Sequence, residues 1–590
     1  MLVNRHYIVD IQCNTRLSLD KNYNMPKGKS SKITFKAYHQ NQIFLLPPSF
    51  DDLIPQNHLV RTLNETIDQL NIDPLLKSYK GGGASIYHPK MMIKVLNYAY
   101  LNKIYTSRKI AKALREDVNF MWLSGMNRPD YRTINIFRSS RLKPVMDEVF
   151  ASMVLFCQTN GYITLENYFV DGTKMEANAS KNSYVWSKNT KRYKGNVTEK
   201  IKQLLAHIDE LNDNENHHYG DRDLEELGEG VSISSEKIKE QAQKINATIV
   251  AKKAEQSLDS VDKEVAKAVK QIEKQLPKLE QYEEQEKILA GRNSYSKTDP
   301  DATFHRLKND LLRPSYNTLI GCENQFIVNY TIHQNPGESG LFIEHIENLK
   351  RLTGAIPKNA IGDSAFGSEE NYDYLAKNGI ENYLKYNTFH FDETQKQDRN
   401  KFSKDKFKYD NTSDSYTCPG SRSLKFKALK ETKTDNGYVS HVRIYECEDC
   451  KGCAFSQECK KGAGNRSLQI NPQLDRYRKA AFKNLTSAKG IELRKQRNTE
   501  PETVFGDIKW NSDYTRFILR GKEKVKTEMG LLSIAHNIKK IFQMKSLDQA
   551  NSSINQIKFS NPLSTGASFY FCSVRPCNFE KTKQEFITYS

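Results

Sequence analysis

Twice in this chain a short apolar run breaks off at an aspartate. The first is Ile163-Thr164-Leu165-Glu166-Asn167-Tyr168-Phe169-Val170, closed by Asp171-Gly172-Thr173, and the second is Asn359-Ala360-Ile361-Gly362, closed by Asp363-Ser364. β-Branched and aromatic residues bounded this way read as strands. Between them, strand signals at 316–321 and 325–332 flank Cys322-Glu323-Asn324 as in a hairpin, and 340–352 reads as a helix. Strand, helical insertion, hairpin, helix, strand is the order of an α/β domain. In open α/β sheets functional side chains gather at the carboxyl ends of strands, which makes Asp171 and Asp363 candidate site residues. Asp-Gly by itself is equally a common turn.

A third acidic stretch follows much later, Arg497-Asn498-Thr499-Glu500-Pro501-Glu502-Thr503-Val504-Phe505-Gly506-Asp507-Ile508-Lys509-Trp510. Glu502, Phe505 and Lys509 fall three, four and seven apart, so they share one side of a helix. A surface ion pair fits this pattern, and so does a metal ligand followed by a phosphate contact. Glu500 is the rival carboxylate, but it brings neither Phe505 nor Lys509 into register.

The rest of the chain sorts into blocks. From His88 the pattern is helical, with Met92, Val95, Leu96 and Ala99 as one stripe. A second helix after Ser107 turns Ile110, Ala111 and Leu114 inward and Arg108, Lys109 and Lys112 outward. A third, after Pro129-Asp130, turns Ile134 and Phe137 inward and leaves Arg132, Arg138 and Arg141 exposed. Three short helices with a basic third fit a helix-turn-helix DNA binder, and equally an ordinary bundle with a solvated basic face. Gly81-Gly82-Gly83 reads as a joint, since no Gly-Lys-Ser/Thr follows to make a phosphate loop. Residues 191–290 are rich in Lys, Glu, Gln and Asn, with helical stretches at 197–211 and 235–289, and predict a projecting helical hairpin. Asp299 and Asp301 flank Pro300 and read as a turn. His536 reads as structural. Beyond Ser546 a polar, poorly ordered tail is expected.

Four of the ten cysteines crowd together as Cys447-x2-Cys450-x2-Cys453-x5-Cys459, and Cys418 precedes them in Tyr416-Thr417-Cys418-Pro419-Gly420. Closely spaced thiolates suit tetrahedral zinc. Five candidates for four positions leave the ligand set open, and free thiols or an iron–sulfur cluster are the other readings.

Charge points to the partner. The chain carries a net +18 with a pI near 9.1, the balance of a protein that meets a polyanion. No run of about 18 apolar residues exists to span a bilayer, and residues 1–22 lack the apolar segment of a leader. The chain reads as well from Met25 as from Met1.

Taken together these blocks resemble a bacterial insertion-sequence transposase of the DDE type, and within it the insertion-sequence eleven-eighty-two group. The likeness runs from about residue 32 to 540. It is carried by Tyr87-His88-Pro89-Lys90-Met91, Ser107-Arg108-Lys109-Ile110-Ala111, Pro129-Asp130-Tyr131-Arg132-Thr133-Ile134, Tyr168-Phe169-Val170-Asp171-Gly172-Thr173-Lys174 and Thr298-Asp299-Pro300-Asp301-Ala302. Further matches are Gly362-Asp363-Ser364-Ala365-Phe366-Gly367, the run from Glu502 to Lys509, and Ala535-His536-Asn537-Ile538-Lys539-Lys540.

The resemblance implies an α/β fold with a ribonuclease-H-like catalytic core, a helical N-terminal domain, a long helical-hairpin insertion and a Cys-rich insertion. The blocks are then 1–33 as a disordered start, 34–150 as the helical DNA-binding domain, and 160–190 with 291–389 as the first parts of the core. Residues 191–290 form the hairpin, 390–490 the Cys-rich insertion, 491–545 the helices bearing the third carboxylate, and 546–590 the tail. It also implies Asp171, Asp363 and Glu502 as catalytic carboxylates holding Mg²⁺ or Mn²⁺, with Lys509, Arg497, Arg132 and Arg138 as DNA contacts. Arg497 stands one position further from Glu502 than the related signature has it, and the expected Tyr is absent. Cys418, Cys447, Cys450, Cys453 and Cys459 are the candidate Zn²⁺ ligands. The implied activity is metal-dependent cleavage at element ends and strand transfer. An inactive DNA-binding descendant and a nuclease with the same core are the alternatives. DNA terminal repeats and target DNA are the implied partners, with a homo-oligomer of at least two copies, no membrane, and a cytoplasmic, nucleoid-associated location.

Overall fold

The structure, a computed structural model, describes residues 49–79, 86–219, 234–257, 259–307, 310–394, 401–460 and 462–559. The expectations for 1–33, for Gly81-Gly82-Gly83 and for the chain past Phe559 lie outside these residues. The whole is a mixed α/β architecture with a helical N-terminal region.

Helices Leu59–Gln69, Pro89–Leu101, Ser107–Glu116, Val118–Ser124, Tyr131–Ile136 and Met146–Thr159 precede the first strand. Thr106, Asp117 and Asp130 begin three of them by accepting the backbone N–H of Lys109, Asn119 and Thr133, which satisfies amides that the first turn leaves orphaned. Met92, Val95, Leu96 and Ala99 point into the core, as do Ile110, Leu114, Ile134 and Phe137.

Arg138 goes with them, which corrects its expected exposure. It is only 1% exposed, and its Nη1 donates to the Tyr100 hydroxyl at 3.1 Å and to the Tyr105 carbonyl at 2.8 Å. The Tyr100 hydroxyl donates in turn to buried Glu528 at 3.3 Å. Arg138 stands four residues after buried Ile134, so helical spacing puts both on the inward face, and the backbone widens into a π-turn over Phe137–Arg141.

The central sheet begins with β1 (Asn167–Glu176), which runs straight through Asp171-Gly172 rather than turning there. β2 (Tyr184–Trp186) and β3 (Ser294–Ser296) form a separate antiparallel ribbon. β4 (Thr303–Arg306), β5 (Leu312–Glu323), β6 (Phe326–His333), β7 (Asn359–Gly362) and β8 (Glu381–Leu384) complete the main sheet. β1 lies antiparallel to β5 and parallel to β7, and β7 lies parallel to β8. The far edge of β5 carries β4 at its start and β6 along the rest, both antiparallel. Asn324 and Gln325, at φ 54° and 63°, make the β5–β6 turn with the paired positive φ values a two-residue hairpin favours. Helix Phe342–Thr353 connects β6 to β7, and Glu369–Lys377 connects β7 to β8. That these connections are helices is what allows β1, β7 and β8 to run parallel.

Helix Lys522–Phe559 packs on β6 and on three of the N-terminal helices, joining the two regions. Asp299 and Asp301 hold its start by accepting the N–H groups of Gly521 and Lys522 at 3.1 and 2.9 Å. The helix continues to Phe559. Residues 546–559 contain neither Pro nor Gly, so nothing in them stops a helix.

The arm has three helices, Ser187–Tyr219, Ser235–Ala254 and Ser260–Leu289, where two are predicted. Asp259 and Asp262 cap each other's backbone N–H at 2.7 and 3.3 Å, starting a new helix where the pattern reads as continuous. Ile201, Leu205, Ile208, Ile238, Val269 and Ile272 give the arm an apolar seam of its own.

A second sheet is built from β9 (Lys408–Asp410), β10 (Ser415–Thr417), β11 (Ser423–Lys433), β12 (Val439–Cys447) and β13 (Ser467–Ile470), all antiparallel and in the order β13-β12-β11-β10-β9. The turn of its long β11–β12 hairpin reaches the main sheet's surroundings, where Asn436 donates to the Gly340 carbonyl at 3.0 Å.

Candidate active site

Asp171 and Asp363 come from neighbouring parallel strands. The register pairs Phe169 with Ile361. Two residues further on, the same offset sets Asp171 level with Asp363, just past the end of β7. Residues level on adjacent strands project from the same face of a sheet. Asp363 is half-exposed and caps the turn Ser364–Phe366 by accepting the Ser364 N–H at 2.5 Å.

Arg497, the last residue of helix Ala488–Arg497, lies between them. Its Nη2 is 3.6 Å from Asp171 Oδ1 and 3.5 Å from Asp363 Oδ2, and the side chain is 8% exposed. Its Nε has no hydrogen-bond partner in the structure. The expectation of Arg497 as a DNA contact is thereby revised: the buried guanidinium points at two carboxylates and is turned away from solvent. Half-buried Lys385 sits nearby, its ammonium pushed down by burial and by Arg497.

Glu502 is exposed on helix Pro501–Gly506, which packs on β1. Burial raises the Asp171 carboxyl above the usual range. Arg497 and the Gly172 amide oppose that shift, and the charges of Asp363 and Glu502 add to it, so all three acidic side chains share one field. Past Gly506 the helix widens into a π-turn, Asp507–Asn511. Lys509 donates from there to the Thr173 hydroxyl and to the Lys174 carbonyl, on β1 just beyond Asp171, with its Nζ 5.9 Å from the Phe505 ring centre. Glu500 has a different task. It accepts the Gln325 N–H at 2.6 Å and so holds the β5–β6 turn. His536 bridges Asp507 and the Gln325 carbonyl at 3.1 and 2.9 Å, a structural role.

Sequence reasoning missed Glu338. A Cβ built on Gly172 would come within 2.8 Å of the Glu338 carboxylate, so the glycine beside Asp171 is what lets this fourth acid approach. Burial raises the Glu338 carboxyl, Asp171 and Asp363 push it the same way, and Lys174 opposes them. Glu338 lies in Asn335-Pro336-Gly337-Glu338-Ser339-Gly340, a stretch with no strand or helix pattern to draw attention to it.

The five cysteines are all unpaired, and they line one small cavity at the base of β11 and β12. Among the described residues, no three His, Cys, Asp or Glu side chains already stand at metal-holding spacing, here or at the carboxylates. Also among the described residues, no helix is long and apolar enough to cross a membrane.

Of the other predicted DNA contacts, Arg132 is exposed and lies over the Tyr131 ring, which Arg108 also covers from helix Ser107–Glu116 at 4.8 Å. Arg108, Lys109, Lys112, Arg115 and Arg132 are all exposed and make a basic face across these two helices.

Comparison with protein families gives two matches. Residues 417–542, which hold the cysteines, Arg497, Glu502 and Lys509, match a family described as "Transposase DDE domain". Residues 48–140, the N-terminal helices, match "Transposase domain (DUF772)". No curated protein and no solved structure matches the chain.

Proposed function

The two family matches indicate an insertion-sequence DDE transposase, and from that premise we propose that Asp171, Asp363 and Glu502 carry out DNA cleavage at the ends of an element and strand transfer to a target. The observation that carries this reading is the level placement of Asp171 and Asp363 on parallel strands, with Glu502 on a helix packed against the same strand. The order β6-β5-β1-β7-β8, with β5 alone antiparallel and β6, β7 and β8 all running parallel to β1, supports a ribonuclease-H-like core.

The donors fit a hard divalent cation. Every candidate ligand is a carboxylate oxygen, as Mg²⁺ or Mn²⁺ prefers. Burial lifts the Asp171 carboxyl and the charges of Asp363 and Glu502 add to it; a bound cation relieves this, and Arg497 already relieves part of it. Asp171, Asp363 and Glu502 would hold the metal. When bound, it would activate an oxygen nucleophile and stabilise the leaving oxygen of a phosphodiester.

The chain's own residues supply the rest. Arg497 opposes the rise of the Asp171 carboxyl and fixes the direction of Asp171 and Asp363. Lys509, tied to β1 beside Asp171, offers positive charge to a phosphate of the strand being cut. The basic face of Arg108, Lys109, Lys112 and Arg132 gives the sequence-independent attraction to backbone phosphates that most DNA binders rely on. A homo-oligomer of at least two copies on DNA follows from the need to bring element ends together.

The test supplies a pre-cut element end with a free 3′-hydroxyl, a supercoiled plasmid target and Mg²⁺. The reading requires a covalently joined product that depends on the donor end. Nicking without joining would mark a nuclease instead.

A further inference from the structure

We propose that Cys418, Cys450, Cys453 and Cys459 bind a structural zinc ion at the base of the β11–β12 hairpin, and that Cys447 is not a ligand. The hydrogen bonds at the sulfurs separate the five. The Arg422 N–H donates to Cys418 Sγ at 3.3 Å, and the Arg466 N–H donates to Cys450 Sγ at 3.3 Å. In both cases a backbone N–H from the loop around the cavity points straight at the sulfur. Cys447 does the opposite. Its Sγ points instead at the Asp449 carbonyl, to which it donates at 3.4 Å.

Cys453 and Cys418 face one another across Gly420, where a Cβ would lie 3.4 Å from one sulfur and 3.7 Å from the other. The short helix Ser456–Cys459 brings Cys459 to the same cavity. The two loops are already fastened together, because Arg422 donates to the carbonyls of Asp449 and Lys451. No three sulfurs yet stand at metal-holding spacing, so binding requires the thiols to turn into the cavity that they line.

The sheet has a physical need for such a link. Its apolar cluster is small, and β11 is exposed along almost its whole length. Small sheets of this kind are commonly held by a metal or disulfides, and these cysteines form no disulfide. Tetrahedral all-thiolate coordination is a closed, structural zinc arrangement.

The experiment uses the full-length chain, purified without chelator, with metals measured by plasma mass spectrometry. About one zinc per chain is expected. Cys418→Ser, Cys450→Ser, Cys453→Ser and Cys459→Ser should each lose it, and Cys447→Ser should keep it. Because the first four variants can misfold, a second measurement uses the wild-type and Cys447→Ser chains refolded with Co²⁺. Both should show the same intense tetrahedral-thiolate absorption. A folded chain with no zinc, a chain containing iron with a brown chromophore, or a Cys447→Ser chain that loses zinc or the cobalt spectrum would overturn the proposal.

Discussion

Gly172 and Glu338 are in such close apposition that a single methyl group on the glycine would lie 2.8 Å from the glutamate's carboxylate, too close for both to stay in place. Glu338 thereby joins the charge field of Asp171 and Asp363. Gly172→Ala should push the Glu338 carboxylate aside and lower end cleavage by about tenfold, equivalent to about 1.4 kcal/mol in the barrier. Glu338→Gln, which keeps the shape and removes the charge, should lower it similarly. A cleavage time course for both variants checks this. Full activity in Glu338→Gln would remove that residue from the site.

Arg497 stands between two carboxylates and is nearly sealed from solvent. Its loss leaves Asp171 with burial and like charges and without its main compensation. Arg497→Ala should therefore abolish most cleavage while leaving circular dichroism near that of the wild type. Arg497→Lys should recover only part, because an ammonium cannot reach two carboxylates in the planar manner of a guanidinium. Equal activity in all three proteins would show that the ion pairs have no catalytic consequence.

Two arginines from one predicted helix should behave in opposite ways. Arg132 is exposed, and Arg132→Ala should weaken DNA binding, reduce the salt dependence by about one phosphate contact and leave the melting temperature unchanged. Arg138 is buried with Tyr100 and Glu528. Arg138→Ala takes the donor from the Tyr105 carbonyl and the opposing charge from near buried Glu528, and should cost about 1–3 kcal/mol of stability. Thermal melts together with DNA titrations over a range of salt separate the two effects.

The split between these arginines shows what the sequence made legible and what it did not. The strand runs leading to Asp171 and Asp363 were visible because β-branched and aromatic residues mark strands, although the first continues past Asp171 to Glu176. The buried position of Arg138 was hidden because its charge outweighed its spacing, four residues after Ile134, and the groups that satisfy it, Tyr100 and Tyr105, come from another helix and the turn after it. Glu338 was hidden for a different reason. It reaches the site from a Pro- and Gly-containing loop, and only its approach to Gly172 reveals it. The break between the second and third arm helices rests on a local exchange of caps between Asp259 and Asp262, within a run whose apolar spacing continues across it.

Three buried histidines line the main sheet. Burial lowers His305 and His333 to about 4, with Lys174 and Lys522 respectively acting in the same direction. His345 is also held low, by burial and by His333. Each is neutral when folded and free to take a proton when unfolded, so the unfolded chain binds more protons between the folded value and about 6.5. Their contribution is fully present above about pH 6.5 and is lost as pH falls towards 4, at up to roughly 1 kcal/mol per pH unit for each histidine. Urea melts between pH 7 and pH 4 should show the midpoint falling. His333→Gln should flatten that slope, and an unchanged slope would refute the assignment.

The central claim is that Asp171, Asp363 and Glu502 form one catalytic set. Its most direct measurement is cleavage of end-containing DNA, in Mg²⁺ and in Mn²⁺, by Asp171→Ala, Asp363→Ala and Glu502→Ala singly and together. The account predicts a loss of roughly a hundredfold or more for each single variant. It also predicts little further loss on combining them, because groups that act as one unit are not additive. Cleavage by the triple variant at the wild-type rate would contradict it.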